Sequence, residues 1–207
     1  MLRSINAVFG SLIHATDGEL GKVCDVLFDD RGWTVRYLIV ETGDWLARRQ
    51  VLIAPAAAGK PDWDNGMVPV ELTMEQVRNS PDIDTAKPVS LQEETEMNLY
   101  YGWPTYWPGM YPPPIPDPNS GRPDSPDGDP HLRSVKEIST YLAHAADGEL
   151  GKIDHLLMED ANWFIRYLVV STGSWLSGQQ LLVATRWVGS ISWSDKQIVL
   201  TESREDL

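Results

Sequence analysis

A mainly β fold, built as two small antiparallel β-barrels related by internal duplication, is what three features of this chain predict. The second half repeats the first at a fixed offset, short β-branched and aromatic runs alternate with turn residues in both halves, and helix signals are confined to one or two short segments.

The repeat comes first because it organises everything else. Adding 130 to a residue number carries Leu2 to Pro55 onto Leu132 to Thr185 without a gap. Leu2-Arg3-Ser4-Ile5 meets Leu132-Arg133-Ser134-Val135, and His14 to Lys22 meets His144 to Lys152, with Asp-Gly-Glu-Leu-Gly-Lys common to both. Trp33, Arg36, Tyr37, Leu38, Val40, Thr42, Gly43, Trp45 and Leu46 recur as Trp163, Arg166, Tyr167, Leu168, Val170, Thr172, Gly173, Trp175 and Leu176. Trp63 and Trp193 keep the spacing, after which a small length difference brings Leu72-Thr73 opposite Leu200-Thr201. Each copy spans about 75 residues. The boundaries that follow are a first barrel at 1–80, a connector at 81–130 and a second barrel at 131–207. Because the internal copy opens with the same Leu-Arg-Ser, the residues after Met1 are expected to belong to the fold and not to a cleaved leader.

Along each copy, Asp17-Gly18 and Asp147-Gly148 predict a tight hairpin, since a type I′ turn needs positive φ at both central residues and Asp-Gly tolerates it. Lys22 to Phe28 reads as a strand, Asp30-Arg31-Gly32 turns it, and Trp33 to Val40 returns, rich in the residues that fit a pleated sheet. Val51 to Ile53 and Met67 to Val70, with counterparts at Leu181 to Val183 and Gln197 to Leu200, add shorter strands. Five or more strands per copy favour closure, because a closed sheet leaves no exposed edge. Thr73-Met74-Glu75-Gln76 and Ser90-Leu91-Gln92-Glu93 are capping-box patterns, predicting one short helix before Pro81 and another running to about Tyr101. From Gly102 to Pro130 the prolines, Pro112-Pro113-Pro114 among them, preclude regular structure. The aromatics Tyr100, Tyr101, Trp103, Tyr106, Trp107 and Tyr111 mark the front of this connector as a segment that packs on a barrel or against a second subunit. The Pro112 to Pro116 stretch is a polyproline segment that an aromatic groove would fit.

Composition excludes several function classes. The chain has 207 residues, 42% hydrophobic and 23% charged, which suits a folded protein. A net charge of -13 repels a phosphate backbone, so no nucleic-acid partner is expected. The single cysteine, Cys24, cannot form an intramolecular disulfide, and no apolar run approaches the length of a membrane span. A cytoplasmic location is the expectation, with peripheral membrane association arising through a partner.

With these motifs in place, the two modules resemble the PRC-barrel family, known from the cytoplasmic domain of the photosynthetic reaction centre H subunit and from a ribosome-maturation protein. The resemblance rests on Asp17 to Val23 followed by Asp25 and a strand ending Tyr37-Leu38-Ile39-Val40, and on the same pattern from Asp147 to Val170. It implies an adaptor or assembly module and not a catalyst. The H subunit's membrane helix is missing from this sequence, as are the partner domain and basic character of a ribosome-maturation factor, so neither specific role is carried over.

Most of the candidate chemical groups have ordinary structural readings. His14 and His144, with His155 opposite Asp25 in the repeat, lack the cysteine partners or helical spacing of a metal centre, so no metal is expected. Asp17, Glu19, Asp147 and Glu149 read as solvated turn formers, and no nucleophile, catalytic set or cofactor loop is apparent. Arg36 and Arg166 each interrupt an apolar strand, which makes them ion-pair partners of nearby carboxylates or, alternatively, anion ligands in a pocket between the barrels. Cys24 is Asp154 in the other copy, so the repeat does not demand a thiol. The expectation is a non-enzymatic interaction, assembly or regulatory module without cofactor, with a protein partner or a homodimer. The alternative is a small-molecule or anion sensor.

Overall fold

The computed structural model describes residues 1–83, 89–105, 132–172 and 179–207. Within them the chain is mainly β, with two sheets and few helices.

The first half supplies β1 (Leu2–Ser4), β2 (Leu12–Ala15), β3 (Gly18–Asp29), β4 (Thr34–Thr42), β5 (Gln50–Ile53) and β6 (Met67–Pro69), then α1 (Met74–Arg78) and α2 (Leu91–Tyr101). The second supplies β7 (Leu132–Ser134), α3 (Val135–Ile138), β8 (Leu142–Ala145), β9 (Gly148–Glu159), β10 (Ile165–Thr172), β11 (Gln180–Ala184), β12 (Val188–Ser192) and β13 (Gln197–Leu200). One sheet runs β5-β4-β3-β2-β6, the other β11-β10-β9-β8-β13-β12. Neither path closes among the described residues, so the ladder is an open sheet where a closed barrel was expected. The pairing is also not wholly antiparallel. β6 lies parallel to β2 and β13 parallel to β8, because a crossover connection returns the chain in the same direction after three intervening strands in the first half and four in the second.

The opening hairpin corrects the predicted turn. Ala15 pairs with Gly18 and Ala145 with Gly148, so the loop residues are Thr16-Asp17 and Ala146-Asp147, none of which has positive φ. The turn is held from afar instead. Asp17 accepts a hydrogen bond from the Met74 amide at 2.8 Å, Asp147 accepts one from the Arg204 amide at 2.9 Å, and a Cβ at Gly18 would press on the Met74 sulfur. Glycine is required again at Gly21 and Gly151, where a Cβ would overlap the backbone carbonyls of Glu41 and Ser171 across the β3-β4 and β9-β10 ladders.

Both capping boxes are present. Thr73 and Ser90 each accept from the amide three residues on, and Gln76 and Glu93 reach back to the cap amides. Helix α2 covers the outer face of the first sheet. The run Tyr37-Leu38-Ile39-Val40 is apolar throughout because both faces of β4 are buried: Leu38 and Val40 enter a core shared by the two halves, while Tyr37 and Ile39 join Leu27 and Leu52 against Met97 of α2.

The two halves exchange their lead-in strands. β1 pairs with β9 of the second sheet, and β7 pairs with β3 of the first. Arg133 donates to Asp30 at 2.6 Å with only 5% of its side chain exposed, and its counterpart Arg3 faces Asp160 at 3.6 Å. Ser134 donates to Asp25 at 2.6 Å while capping α3. Between these crossings Thr34 bridges Phe164: the Val35 amide donates to the Trp163 carbonyl at 3.0 Å, and the Ile165 amide to the Trp33 carbonyl at 2.7 Å. Trp33 and Trp163 both adopt left-handed backbone, φ 49° and 62°, which a bulky residue holds only where its surroundings impose it. One continuous hydrophobic core, from Ile5 and Leu38 to Leu168 and Ile198, fills the space the two sheets enclose.

Candidate functional site

Where the Thr34–Phe164 bridge meets α2, a cleft of about 460 Å³ opens, lined among others by Arg36, Tyr37, Asn98, Trp103, Asn162 and Trp163. Four parts of the chain build it, the residues 54–56 after β5 among them. β4 offers Arg36 and Tyr37, the end of α2 and the residues after it offer Asn98 and Trp103, and the β9-β10 turn of the second half offers Asn162 and Trp163. Its indole walls are tied to the fold by stacking and backbone hydrogen bonds. Trp103 stacks on Tyr101 at 4.2 Å, and the Trp103 amide donates to the Asn98 carbonyl at 2.9 Å. Trp163 is held by the hydrogen bond its amide donates to the Glu159 carbonyl and by the strand bridge through its own carbonyl.

The two arginines that occupy the same register in the two halves are placed differently. Arg36 lines the cleft and donates through Nη2 to Asp29 at 3.1 Å. Asp29 in turn accepts from the amides of Arg31 and Gly32, so its charge is shared among three donors. Arg166 makes the equivalent pair with Glu159 at 2.8 Å, and Arg166 and Asn162 hold the Glu159 carboxyl below the usual carboxylate range. The two arginines are not brought together in this cleft. Arg166 lies over the Phe164 ring, half exposed, and is not among the cleft residues. At the cleft floor the Tyr37 hydroxyl donates to Asn98 Oδ1 at 3.2 Å. Burial, reinforced by the neighbouring Glu94 carboxylate, pushes the Tyr37 phenol far above its usual range.

The aromatic segment is placed in part. Tyr101 and Trp103 pack on the core clusters, and Tyr100, 41% exposed, donates to the Gln76 carbonyl at 2.8 Å. Tyr106, Trp107, Tyr111 and the Pro112 to Pro116 stretch lie outside the described residues. His14 is exposed with Nδ1 3.2 Å from the Ala15 carbonyl oxygen, while His144 is half buried. No group of three or more His, Cys, Asp or Glu side chains that could hold a metal occurs among the described residues. Cys24 is half buried, and burial raises its thiol pKa. No helix among the described residues is long and apolar enough to cross a membrane.

Asn98, Asn162 and the cleft itself were missed in the sequence. A signal existed for the first: Glu94, Met97, Asn98 and Tyr101 fall on one helical stripe, and an asparagine on a buried stripe calls for a partner.

A second feature emerges when the outer faces of the two sheets are compared. Under α2 lie Leu27, Tyr37, Ile39, Leu52 and Ala54 with Leu132 from β7, all buried. The corresponding positions are Leu157, Tyr167, Val169, Leu182 and Ala184 with Leu2 from β1. Here Leu182 is 57% exposed and Leu2 48%, against 0% for Leu52 and 4% for Leu132.

Among curated proteins, no sequence matches the chain at a significant level. Residues 11–68, the stretch that runs from the start of β2 into β6, match the family model of the PRC-barrel domain.

Proposed function

We propose that this chain is a duplicated PRC-like module acting as a non-catalytic interaction or assembly protein, with the outer face of its second sheet as the partner surface. The observation that carries this reading is the pair of matched faces. The first is closed by α2, while the second, with the same residue types in the same register, leaves Leu2 and Leu182 in solvent. Leu2 on β1 and Leu182 on β11 stand at opposite sides of this face, with Val169 between them buried, and leucines exposed on a sheet face mark contact sites. The occupant is a helix of a partner protein resembling α2. It carries an apolar residue at the Met97 position and a hydrogen-bond acceptor at the Glu94 or Asn98 position, opposite Tyr167 as those residues stand opposite Tyr37. The resemblance of the modules to adaptor domains points the same way.

The test is affinity purification of the tagged chain with cross-linking, beside the variants Leu182→Glu and Leu142→Glu. Leu142 is exposed but belongs to β8, outside the matched face. A partner cross-linked through an amphipathic helix, lost with Leu182→Glu and kept with Leu142→Glu, supports the reading. A partner that Leu182→Glu does not disturb, or a second copy of this chain in its place, overturns it.

A further inference from the structure

We infer that the Asn65-Gly66 turn ahead of β6 is a modification site, at which the asparagine loses ammonia through a cyclic imide and the acidic product loosens the turn and the β2-β6 ladder behind it. This turn belongs to the first half and is independent of the outer face of the second sheet.

Of the asparagines in the sequence, Asn65 alone precedes a glycine. The step is intramolecular. The deprotonated Gly66 nitrogen attacks the side-chain carbonyl carbon of Asn65, an N–C bond closes the imide ring, and the bond to the side-chain nitrogen breaks. That nitrogen leaves as ammonia and takes up the proton that the Gly66 amide gave away. Water then opens the imide at one carbonyl to give aspartate, or at the other to give isoaspartate, and nothing is oxidised or reduced. A side chain on the following residue crowds this attack, and glycine has none. The structure supplies two further conditions. Asn65 is exposed, so water and base reach it, and the Gly66 amide donates no hydrogen bond among the described residues, so its proton is free to leave.

The second copy lacks both residues, with Asp195 at the Asn65 position and Lys196 at the Gly66 position. Gly66 and Lys196 are both left-handed, φ 61° and 53°, so the turn itself accepts a side chain there. The two turns also invert donor and acceptor. In the first, Asn65 donates through its backbone amide and through Nδ2 to the Asp62 carboxylate, at 3.2 and 2.8 Å, and these bonds hold that carboxyl below the usual carboxylate range. In the second, Ser192 donates to the Asp195 carboxylate at 2.6 Å. A carboxylate fits at 195 because a hydroxyl faces it. At 65 it would face the Asp62 carboxylate with the Nδ2 donor gone. The turn also anchors its surroundings. The Gly66 carbonyl accepts from the Leu12 amide at 2.8 Å, Asp62 and Met67 exchange backbone bonds, and Trp63 lies under Arg3 and beside Trp163 of the other half. Isoaspartate inserts a methylene into the main chain between Asn65 and Gly66, which moves that carbonyl off the Leu12 amide at the start of the β2-β6 ladder.

The experiment is incubation of the full chain at mildly alkaline pH and physiological temperature, followed by peptide mapping with mass spectrometry. The peptide holding Asn65 should gain about 1 Da, in aspartate and isoaspartate forms, ahead of every other asparagine-containing peptide. Gly66→Lys, which installs the residue of the second copy where a Cβ meets nothing within 4 Å, should slow the gain about tenfold or more. Asn65→Asp, the product made directly, should lower the melting temperature by about 2 to 4 °C, the shift that a lost hydrogen bond produces in a chain of this size. Adding Asp62→Ser, which recreates the Ser192–Asp195 pairing, should restore it. The parent's own time course needs no variant and decides the assignment even where Gly66→Lys fails to fold. No gain at Asn65, a gain no faster than at the other asparagines, a gain unslowed in folded Gly66→Lys, or an Asn65→Asp protein that melts with the parent or is not restored by Asp62→Ser would each overturn the assignment.

Discussion

Tyr37 shows how a single hydroxyl couples the cleft to the stability of the first half. Its ring is 2% exposed beneath α2, with its hydroxyl at Asn98 and the fully buried Glu94 close by. An unfolded tyrosine ionises at about pH 10, whereas burial and then the Glu94 carboxylate make the folded one hold its proton well beyond that. The stability linked to this proton is fully present below about pH 10 and is lost as pH rises above it. Tyr37→Phe removes the titrating group. The variant should therefore lose about 1 to 2 kcal/mol at neutral pH, from the hydrogen bond and the acceptors left unpaired, yet fall off less steeply than the parent on the alkaline side. Urea melts at neutral pH and above the tyrosine range check both halves of the expectation. Parallel alkaline limbs for the two proteins would assign the loss to other groups.

At the scale of elements, α2 is the piece that differs between the matched faces, and its start is defined by one motif. Ser90 caps the helix by accepting from the Glu93 amide, and Glu93 reaches back to the Ser90 amide at 2.8 Å. Ser90→Ala should cost about 1 kcal/mol and raise hydrogen exchange in α2 and in the outward-facing residues of β4 and β5, leaving β10 and β11 unchanged. Equal exchange increases in both sheets would contradict the assignment of α2 to the first face alone. This helix was legible in the sequence because a capping box is a local pattern with a local cause. The strands were legible for the same reason, through the alternation and the β-branched runs of Val23 to Val40. The hairpin was misplaced by one residue because its turn is decided elsewhere. The Met74 amide donates to the Asp17 carboxylate and the Met74 sulfur crowds Gly18, contacts that no window around Asp17-Gly18 contains. The cleft was hidden likewise, since its walls come from β4, the residues after β5, α2 and the β9-β10 turn, which only the fold brings together.

At the scale of the whole molecule, the exchange of β1 and β7 was illegible for a different reason, which also fixes how the protein should unfold. Leu2-Arg3-Ser4 and Leu132-Arg133-Ser134 are identical, so local preference suits each strand equally to either sheet, and the repeat itself conceals the partner. What the exchange produces is a mutual dependence. Each sheet lacks its lead-in strand unless the other half is folded, and the Arg133–Asp30 pair, the Thr34–Phe164 bridge and the continuous core all span the same boundary. Two domains joined only by a connector would unfold independently, whereas halves sharing strands and core should unfold together. Leu38 and Leu168 are repeat counterparts, both 0% exposed in the shared core. Leu38→Ala and Leu168→Ala should each cost about 2 to 5 kcal/mol, and each should displace one common transition. Denaturation followed by tryptophan fluorescence, with hydrogen exchange resolved at β4 and β10, measures this directly. Coincident shifts in both strands, whichever leucine is truncated, are the expected outcome. Two separated transitions, or protection lost only in the half that carries the substitution, would mean that the exchanged strands contribute little to cooperativity and that each half is stabilised by its own sheet.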